Sequence, residues 1–141
     1  MFERCLYFNL NALTRKVNRL WDEAFRHAGL SPSNAYLMRV VLNEPGITQK
    51  RISETLELAP STVTRFVDTL VKQGLLERRQ GIADSRESTL FPTPAGEALH
   101  AHLQTIGNTL YQHMRELLSQ DKFDLLVNEA REAQRKLKNP A

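Results

Sequence analysis

Two amphipathic segments separated by only three residues constrain the fold of this chain more than any other feature. In the first segment, Thr48 can cap a short helix whose apolar side contains Ile52. The second segment opens on Pro60, has apolar residues at three- and four-residue steps, and ends at Gly74. Because residues 57–59 leave room only for a tight turn, the pattern predicts two short helices joined as a helix-turn-helix unit.

The segments on both sides of this unit predict longer helices and one hairpin. Apolar residues at helical spacing mark the helices, and Ser31, Thr93 and Ser119 are the expected N-terminal caps. Two short runs around a polar loop predict a hairpin with a long tip. Helices are expected at about 2–28, 32–43, 94–118 and 120–137, and strands at 75–80 and 87–91. The fold is therefore expected to be all-α with a small β-hairpin wing, in a single domain over 1–141.

The composition is that of an ordinary soluble globular protein, with 41% apolar and 25% charged residues. The longest apolar runs have only a few residues, far fewer than the roughly 20 that a membrane-spanning helix needs. The first ten residues mix charged and apolar side chains and do not resemble a signal peptide. The single cysteine, Cys5, cannot form an intrachain disulfide, which fits a reducing compartment. We therefore expect a cytoplasmic protein that does not bind a membrane.

Polar residues on the second helix of the helix-turn-helix unit favour a nucleic-acid partner. A net charge of +3 only permits such a partner, so the position of each side chain has to decide. In this motif the second helix presents its N-terminal residues to base edges in the major groove. Hydroxyl groups can bond bases or phosphates, and arginine can bond guanine through two parallel hydrogen bonds. Outside the apolar stripe, the helix offers Ser61, Thr62, Thr64, Arg65, Asp68, Thr69 and Lys72. We expect DNA contacts from these hydroxyls at its front, from Arg65 and from Lys72.

Residues next to this helix are expected to contact the phosphates or the minor groove. Thr48 and Gln49 begin the first helix of the unit, where backbone N–H groups without a helical partner favour a phosphate. Arg78 lies on the first strand of the hairpin, and Arg86 lies at its tip. An arginine at the tip can enter a narrow minor groove, where the negative potential is concentrated. Asp84 is expected to hold that arginine, or a neighbouring basic residue, in place.

Three stretches extend the pattern beyond a helix-turn-helix. They read GLSPSNAYLMRVV, GITQKRISETLELAPSTVTRFVDTLVKQGLLERR and ADSRESTLFPTPAG. In this order they resemble the MarR/SlyA family of winged helix-turn-helix transcriptional regulators. The Asp-x-Arg signature of that family's wing is here 84–86, and its closing Leu-Thr-x-x-Gly begins here with Pro92 in place of leucine. The resemblance implies a winged-helix DNA-binding lobe over 30–96 and dimerisation helices over 1–29 and 97–141.

The resemblance also implies how the protein works. Family members are homodimers built from the first, fifth and sixth helices, and they bind pseudo-palindromic operators. Many bind small anionic aromatic ligands in a crevice between the dimerisation helices and the DNA-binding lobe. Since half-sites lie about one helical turn apart, a ligand that changes the spacing of the two recognition helices prevents both from docking. We therefore expect a homodimeric repressor of a palindromic double-stranded DNA operator that a small aromatic or anionic effector releases.

Two other functions and one assignment stay open. Some relatives sense peroxide through a single cysteine in the first helix, about two positions from Cys5; an inert, partly buried thiol is the other interpretation. The winged helix could instead bind another protein, which would give little salt dependence of any DNA binding. Four aromatic residues could line a ligand crevice or simply pack in the core or a dimer, namely Phe8, Trp21, Tyr36 and Tyr111.

Enzyme function is not expected, and neither is a cofactor or a metal site. The sequence contains no nucleophile elbow, P-loop, dinucleotide-binding fingerprint or His-Glu-x-x-His motif. His100 and His102 are two positions apart, which places them on different faces of a helix. Pairs of cysteines or histidines at the spacing of zinc ligands are also missing from the sequence.

Overall fold

The computed structural model describes residues 1–81 and 86–137, which contain helices and one small sheet. The chain divides into two compact units, residues 1–106 and residues 107 onwards. The elements are α1 (Leu6–Arg26), α2 (Pro32–Asn43), β1 (Ile47–Thr48), α3 (Gln49–Leu56), α4 (Pro60–Lys72), β2 (Leu76–Gln80), β3 (Ser88–Pro92), α5 (Pro94–Ala98), α6 (His100–Leu118) and α7 (Gln120–Lys136). The predicted all-α fold with a hairpin wing is confirmed.

Three of the predicted caps fix the starts of α2, α3 and α5. The side-chain oxygens of Ser31, Thr48 and Thr93 each accept a hydrogen bond, of 3.1–3.2 Å, from the backbone N–H three residues ahead. Each bond satisfies one of the donors that the first turn of a helix leaves without a partner, which stabilises the fold by about 1 kcal/mol. These helices therefore begin where the local sequence supplies an acceptor.

The sheet has three antiparallel strands in the order β1-β3-β2. The sequence analysis missed β1, in which Ile47 pairs with Leu90. Pro92 ends β3 and pairs with Leu76. The pairing of the hairpin thus continues to its base, because a proline at the end of a strand removes only a terminal donor.

The core of the first unit lies between α2, α3, α4 and the sheet. Its fully buried side chains come from every one of these elements and include Met38, Ile52, Val63, Val67, Leu70 and Leu90. At its edge, α5 approaches the chain before β2 closely, since a Cβ on Gly96 would lie 2.2 Å from the backbone oxygen of Leu75. This contact has no room for any side chain, and it fixes the base of the hairpin relative to α5.

Three details of the predicted helices are wrong. The first helix begins at Leu6 rather than at residue 2, because Cys5 has an extended backbone and serves as its N-cap. The single helix predicted from residue 94 is interrupted at Leu99, whose N–H bonds the Gly96 oxygen in a tighter turn. Ser119 precedes α7 but makes no capping hydrogen bond with its side chain, since its backbone has a φ of 68°.

The described part of the second unit contains the end of α6 and the whole of α7. The Tyr111 and Phe123 rings meet edge to face, with their centres 5.4 Å apart. Leu110 is buried, whereas Leu125 and Leu126 on α7 are exposed. In the described part of the chain, no helix has both the length and the apolar character that a membrane crossing requires.

Candidate nucleic-acid interface

One face of α4 is locked into the core, which leaves the opposite face accessible. Val63, Val67 and Leu70 are fully buried. The side chains of Ser61, Thr64, Arg65 and Lys72 are exposed, and Thr62 is half-buried. The helical period of the buried residues therefore presents the predicted contact residues together, starting from the first turn of the helix.

Two threonines on this face bond the backbone of their own helix. The Thr64 hydroxyl donates to the Pro60 carbonyl at 3.1 Å, and the Thr69 hydroxyl donates to the Arg65 carbonyl at 3.1 Å. Since the hydroxyl proton is committed in each case, what these groups offer an outside partner is an acceptor oxygen. The Arg65 guanidinium lies 5.4 Å from the centre of the Phe66 ring, which supports an otherwise exposed cation.

A chain of side-chain contacts connects α3, α4 and β2 at the edge of this face. The Gln49 amide nitrogen donates to the Thr64 hydroxyl at 3.3 Å. The Arg78 Nε–H donates to the Gln49 amide oxygen at 3.1 Å, and its Nη2 forms an ion pair with the Asp68 carboxylate. The structure therefore brings together three of the predicted site residues, Gln49, Thr64 and Arg78, and adds Asp68.

The sequence analysis placed Asp68 on the exposed side of the helix but gave it no role. The available signal was its spacing, since Asp68 follows Thr64 by one helical turn and so shares its face. Its partner could not be found this way, because Arg78 is ten positions further along the chain and belongs to another element.

Three other predicted site residues are Thr48, Arg86 and Asp84. The Thr48 side chain caps α3 by accepting a hydrogen bond from the Arg51 N–H. Thr48 therefore marks the start of that helix. Arg86 is exposed after the hairpin loop. Asp84, expected to hold an arginine of the wing, lies outside the described residues. On the next residue of β2 after Arg78, Arg79 pairs with Glu77 and lies 3.8 Å over the Phe91 ring.

Cys5 and the aromatic candidates are placed in different surroundings. The Cys5 thiol is exposed, so the expected partial burial is wrong; its sulfur accepts a hydrogen bond from the Phe8 N–H at 3.5 Å. The Trp21 indole donates to the Tyr36 hydroxyl at 3.0 Å, so these two aromatic residues do meet. The Phe8 ring instead packs on Phe2. Within residues 1–81 and 86–137, no cluster of three or more potential metal ligands is found.

Comparison with known proteins finds a family that part of the chain resembles. The model of the MarR family matches residues 28–87, which contain the helix-turn-helix and most of the hairpin. Over these residues the chain is similar to the MarR family. Its relatives are transcriptional regulators and not enzymes, as the sequence predicted. A similar curated protein is the transcriptional regulator HosA of Escherichia coli O157:H7, 26% identical over 91 residues, 64% of this chain and 67% of HosA.

Solved structures of MarR-family regulators share the fold of this chain. A Staphylococcus aureus MepR–DNA complex superposes with a TM-score of 0.85 at 16% identity, covering 96% of this chain and 100% of MepR. The PcaV transcriptional regulator of Streptomyces coelicolor, in complex with its natural ligand, has a TM-score of 0.84 at 23% identity, covering 95% of this chain and 94% of PcaV. At these identities the likeness establishes the fold. The chain spans between about half and two thirds of the length of the curated relatives it matches.

Proposed function

We propose that this protein is a sequence-specific DNA-binding transcriptional regulator that inserts the front of α4 into the major groove. The observation that carries the proposal is the exposed face of α4, where Ser61, Thr64 and Arg65 project from a helix whose other side is fully buried. A rigid helix that presents hydroxyl oxygens and a guanidinium can read base edges, since both groups form directional hydrogen bonds. The fold shared with MepR, which was solved bound to DNA, supports this function.

The residues around α4 suit contacts to the DNA backbone. We assign Thr48 and Gln49, at the start of α3, and Lys72 to the phosphates on either side of the groove. Arg86, exposed beyond the hairpin loop, is assigned to the minor groove. Asp84 is assigned to orienting the wing. Arg78 was expected among the DNA contacts, and we propose a different role for it from its bonds to Gln49 and Asp68.

We infer that the protein acts as a homodimer. Of the 21 residues of α1, all of which the structure describes, Phe25 alone is buried. The apolar stripe of the helix is exposed in the single chain, with Leu6 65% and Leu10 47% accessible. Covering such a stripe removes apolar surface from water, at about 25 cal/mol per Å², and a second copy of the helix is the partner that the family resemblance implies.

A repressor role and release by an effector complete the proposal. Trp21 and Tyr36 are joined by a hydrogen bond, the Phe25 ring lies 5.9 Å from that of Tyr36, and the Arg39 guanidinium lies 5.5 Å from its centre. Aromatic rings beside a cation suit a small aromatic carboxylate, because the ring can stack while the charge is neutralised. PcaV, solved with its natural ligand, supports release by a bound effector, and a DNA partner together with a lone thiol supports a cytoplasmic location.

The test is selection of bound sequences from random duplexes, followed by affinity measurements on variants. Arg65→Ala should weaken binding to the selected sequence by about 5- to 150-fold, which corresponds to about 1–3 kcal/mol, with a much smaller loss on random DNA. Arg131→Ala, the same change on the exposed side of α7, is the matched control and should leave both affinities unchanged. Equal losses on both duplexes would mean that Arg65 contacts only phosphate, and failure to enrich any sequence would refute the proposed function.

Two further arms of this experiment address the other functions. Repeating the selection with a salicylate-like acid tests the effector. Repeating it with peroxide, and with a Cys5→Ser variant, tests thiol sensing, for which the exposed sulfur has the necessary access. A protein-interaction module would instead bind DNA weakly and with little dependence on salt, whereas phosphate contacts give a steep dependence.

A further inference from the structure

The surface of α4 that we assign to DNA carries a negative charge. Asp68 lies one helical turn after Thr64, and its side chain is 60% exposed. A carboxylate on a surface that approaches phosphates is repelled by them unless a cation neutralises it. Here the cation is Arg78 of β2, which is only 33% exposed because it is held between α3 and α4.

The bonds of Arg78 commit it to protein partners in a defined direction. Its Nε–H donates to the Gln49 amide oxygen, and one Nη2–H donates to Asp68, so two of its five N–H donors are in use. Because Gln49 accepts through its oxygen, the amide nitrogen must point the other way, toward Thr64, at 3.3 Å. The orientation of Gln49 and its contact to α4 therefore depend on where Asp68 holds the guanidinium.

We propose that Asp68 is a specificity-determining residue, which keeps Arg78 on Gln49 and away from the DNA phosphates. Paired in this way, Asp68 and Arg78 carry no net charge, so the pair contributes little to sequence-independent attraction. Its contribution is to position Gln49 and Thr64 at the junction of α3 and α4. Without the carboxylate, Arg78 is able to neutralise a phosphate, which strengthens binding to every sequence alike. This inference rests on the proposed DNA-binding function.

Salt dependence separates a positioning arginine from one that contacts phosphate. Each neutralised phosphate adds about 0.9 to the slope of log affinity against log salt, or about 1.8 for two chains of a dimer. Asp68→Asn should therefore steepen the slope on random duplex by about 1.8, an additional loss of about 12-fold between 50 and 200 mM salt. The same variant should lower the ratio of affinities for the selected and random duplexes. Arg78→Gln leaves the Asp68 carboxylate without its cation, so it should weaken binding to both duplexes.

Two further proteins complete the series. The double variant Asp68→Asn, Arg78→Gln removes both charges, so it should leave the slope on random duplex unchanged while weakening binding to the selected sequence. Glu23→Gln is the matched control: it also converts a carboxylate paired with an exposed arginine, Arg26, to an amide, but on α1. It should leave the slope unchanged, which shows that the effect of Asp68→Asn does not come from total charge.

The outcomes distinguish this inference from the proposed function. If the parent protein binds duplexes and the double variant Asp68→Asn, Arg78→Gln lowers the slope by about 0.9 per chain, Arg78 already contacts phosphate and the inference is overturned. An unchanged slope in Asp68→Asn, or an equally steep one in Glu23→Gln, also overturns it. If the parent protein binds no duplex, the proposed function fails first. The contacts in the protein alone are checked by the side-chain amide resonances of Gln49, which should shift in Asp68→Asn and not in Glu23→Gln.

Discussion

Replacing Thr93 with valine keeps the shape of the side chain and removes one hydroxyl that holds three elements together. The Thr93 oxygen accepts from the Gly96 N–H at 3.1 Å, which caps α5. Its proton is donated to the Gly74 carbonyl at 2.6 Å, just after α4, and β3 ends at the preceding residue. The hydroxyl therefore joins the end of the helix proposed to read DNA to the base of the hairpin.

The expected loss follows from these two bonds. Removing an N-cap acceptor lowers the free energy of unfolding by about 0.5–2 kcal/mol, and a neutral hydrogen bond contributes about 0.5–1.5 kcal/mol. Because water can partly solvate the Gly74 carbonyl, Thr93→Val should lower the free energy of unfolding by about 1–3 kcal/mol. Thr93→Ser keeps both bonds and loses one partly buried methyl group, which should cost less than about 1 kcal/mol.

Urea unfolding followed by circular dichroism measures both variants. All proteins must be compared at the same concentration, because association of folded chains raises apparent stability. Far-UV spectra before unfolding establish that each variant retains the helical content of the parent. If valine is within about 0.5 kcal/mol of the parent protein, or serine costs as much as valine, the hydroxyl does not make the two bonds described.

Three other substitutions test separate parts of the structure. Gly96→Ala should lower the free energy of unfolding by about 1–3 kcal/mol in urea, although alanine favours helices, because the new Cβ would meet the Leu75 oxygen; no loss would contradict that close approach. Glu57→Gly should raise it by about 1 kcal/mol in the same assay, because Glu57 has a left-handed φ of 54°, and a loss would contradict this assignment. Leu6→Glu with Leu10→Glu should convert a dimer to monomers in light-scattering measurements, with the helical content retained; an unchanged mass would exclude the exposed stripe of α1 as the interface.

The elements that the sequence predicted are those determined by neighbouring residues. A cap such as Ser31 or Thr48 needs only a backbone N–H three positions away, so neighbouring residues determine where its helix starts. The two-residue strand β1 has no such signal, because Ile47 is in a strand only by pairing with Leu90 of β3. The same holds for the break at Leu99, beside the contact between Gly96 and the chain before β2.

In the candidate site, too, the sequence predicted features that depend on neighbouring residues and missed contacts between distant elements. Exposure of Thr64 and Arg65 follows from the helical period of α4, so the sequence was sufficient to predict it. The contacts of Arg78 join residues 10 and 29 positions apart on three elements, and charge patterning along the chain does not contain that information. A prediction from composition counts Arg78 as one more cation available to DNA. In the structure its charge is paired with the Asp68 carboxylate.

The apolar stripe of α1 connects the two main proposals. Periodicity predicts which side of a helix avoids water, and in the single chain that side is exposed at Leu6 and Leu10. If a second copy covers it, two α4 helices are presented together, and each can dock into one of two half-sites about one helical turn apart. Binding to the second half-site is then intramolecular, so the affinity of the dimer exceeds that of one lobe without any new contact. Loss of the apolar stripe should therefore weaken DNA binding as strongly as loss of a direct contact, even though none of the proposed DNA contacts lies on α1.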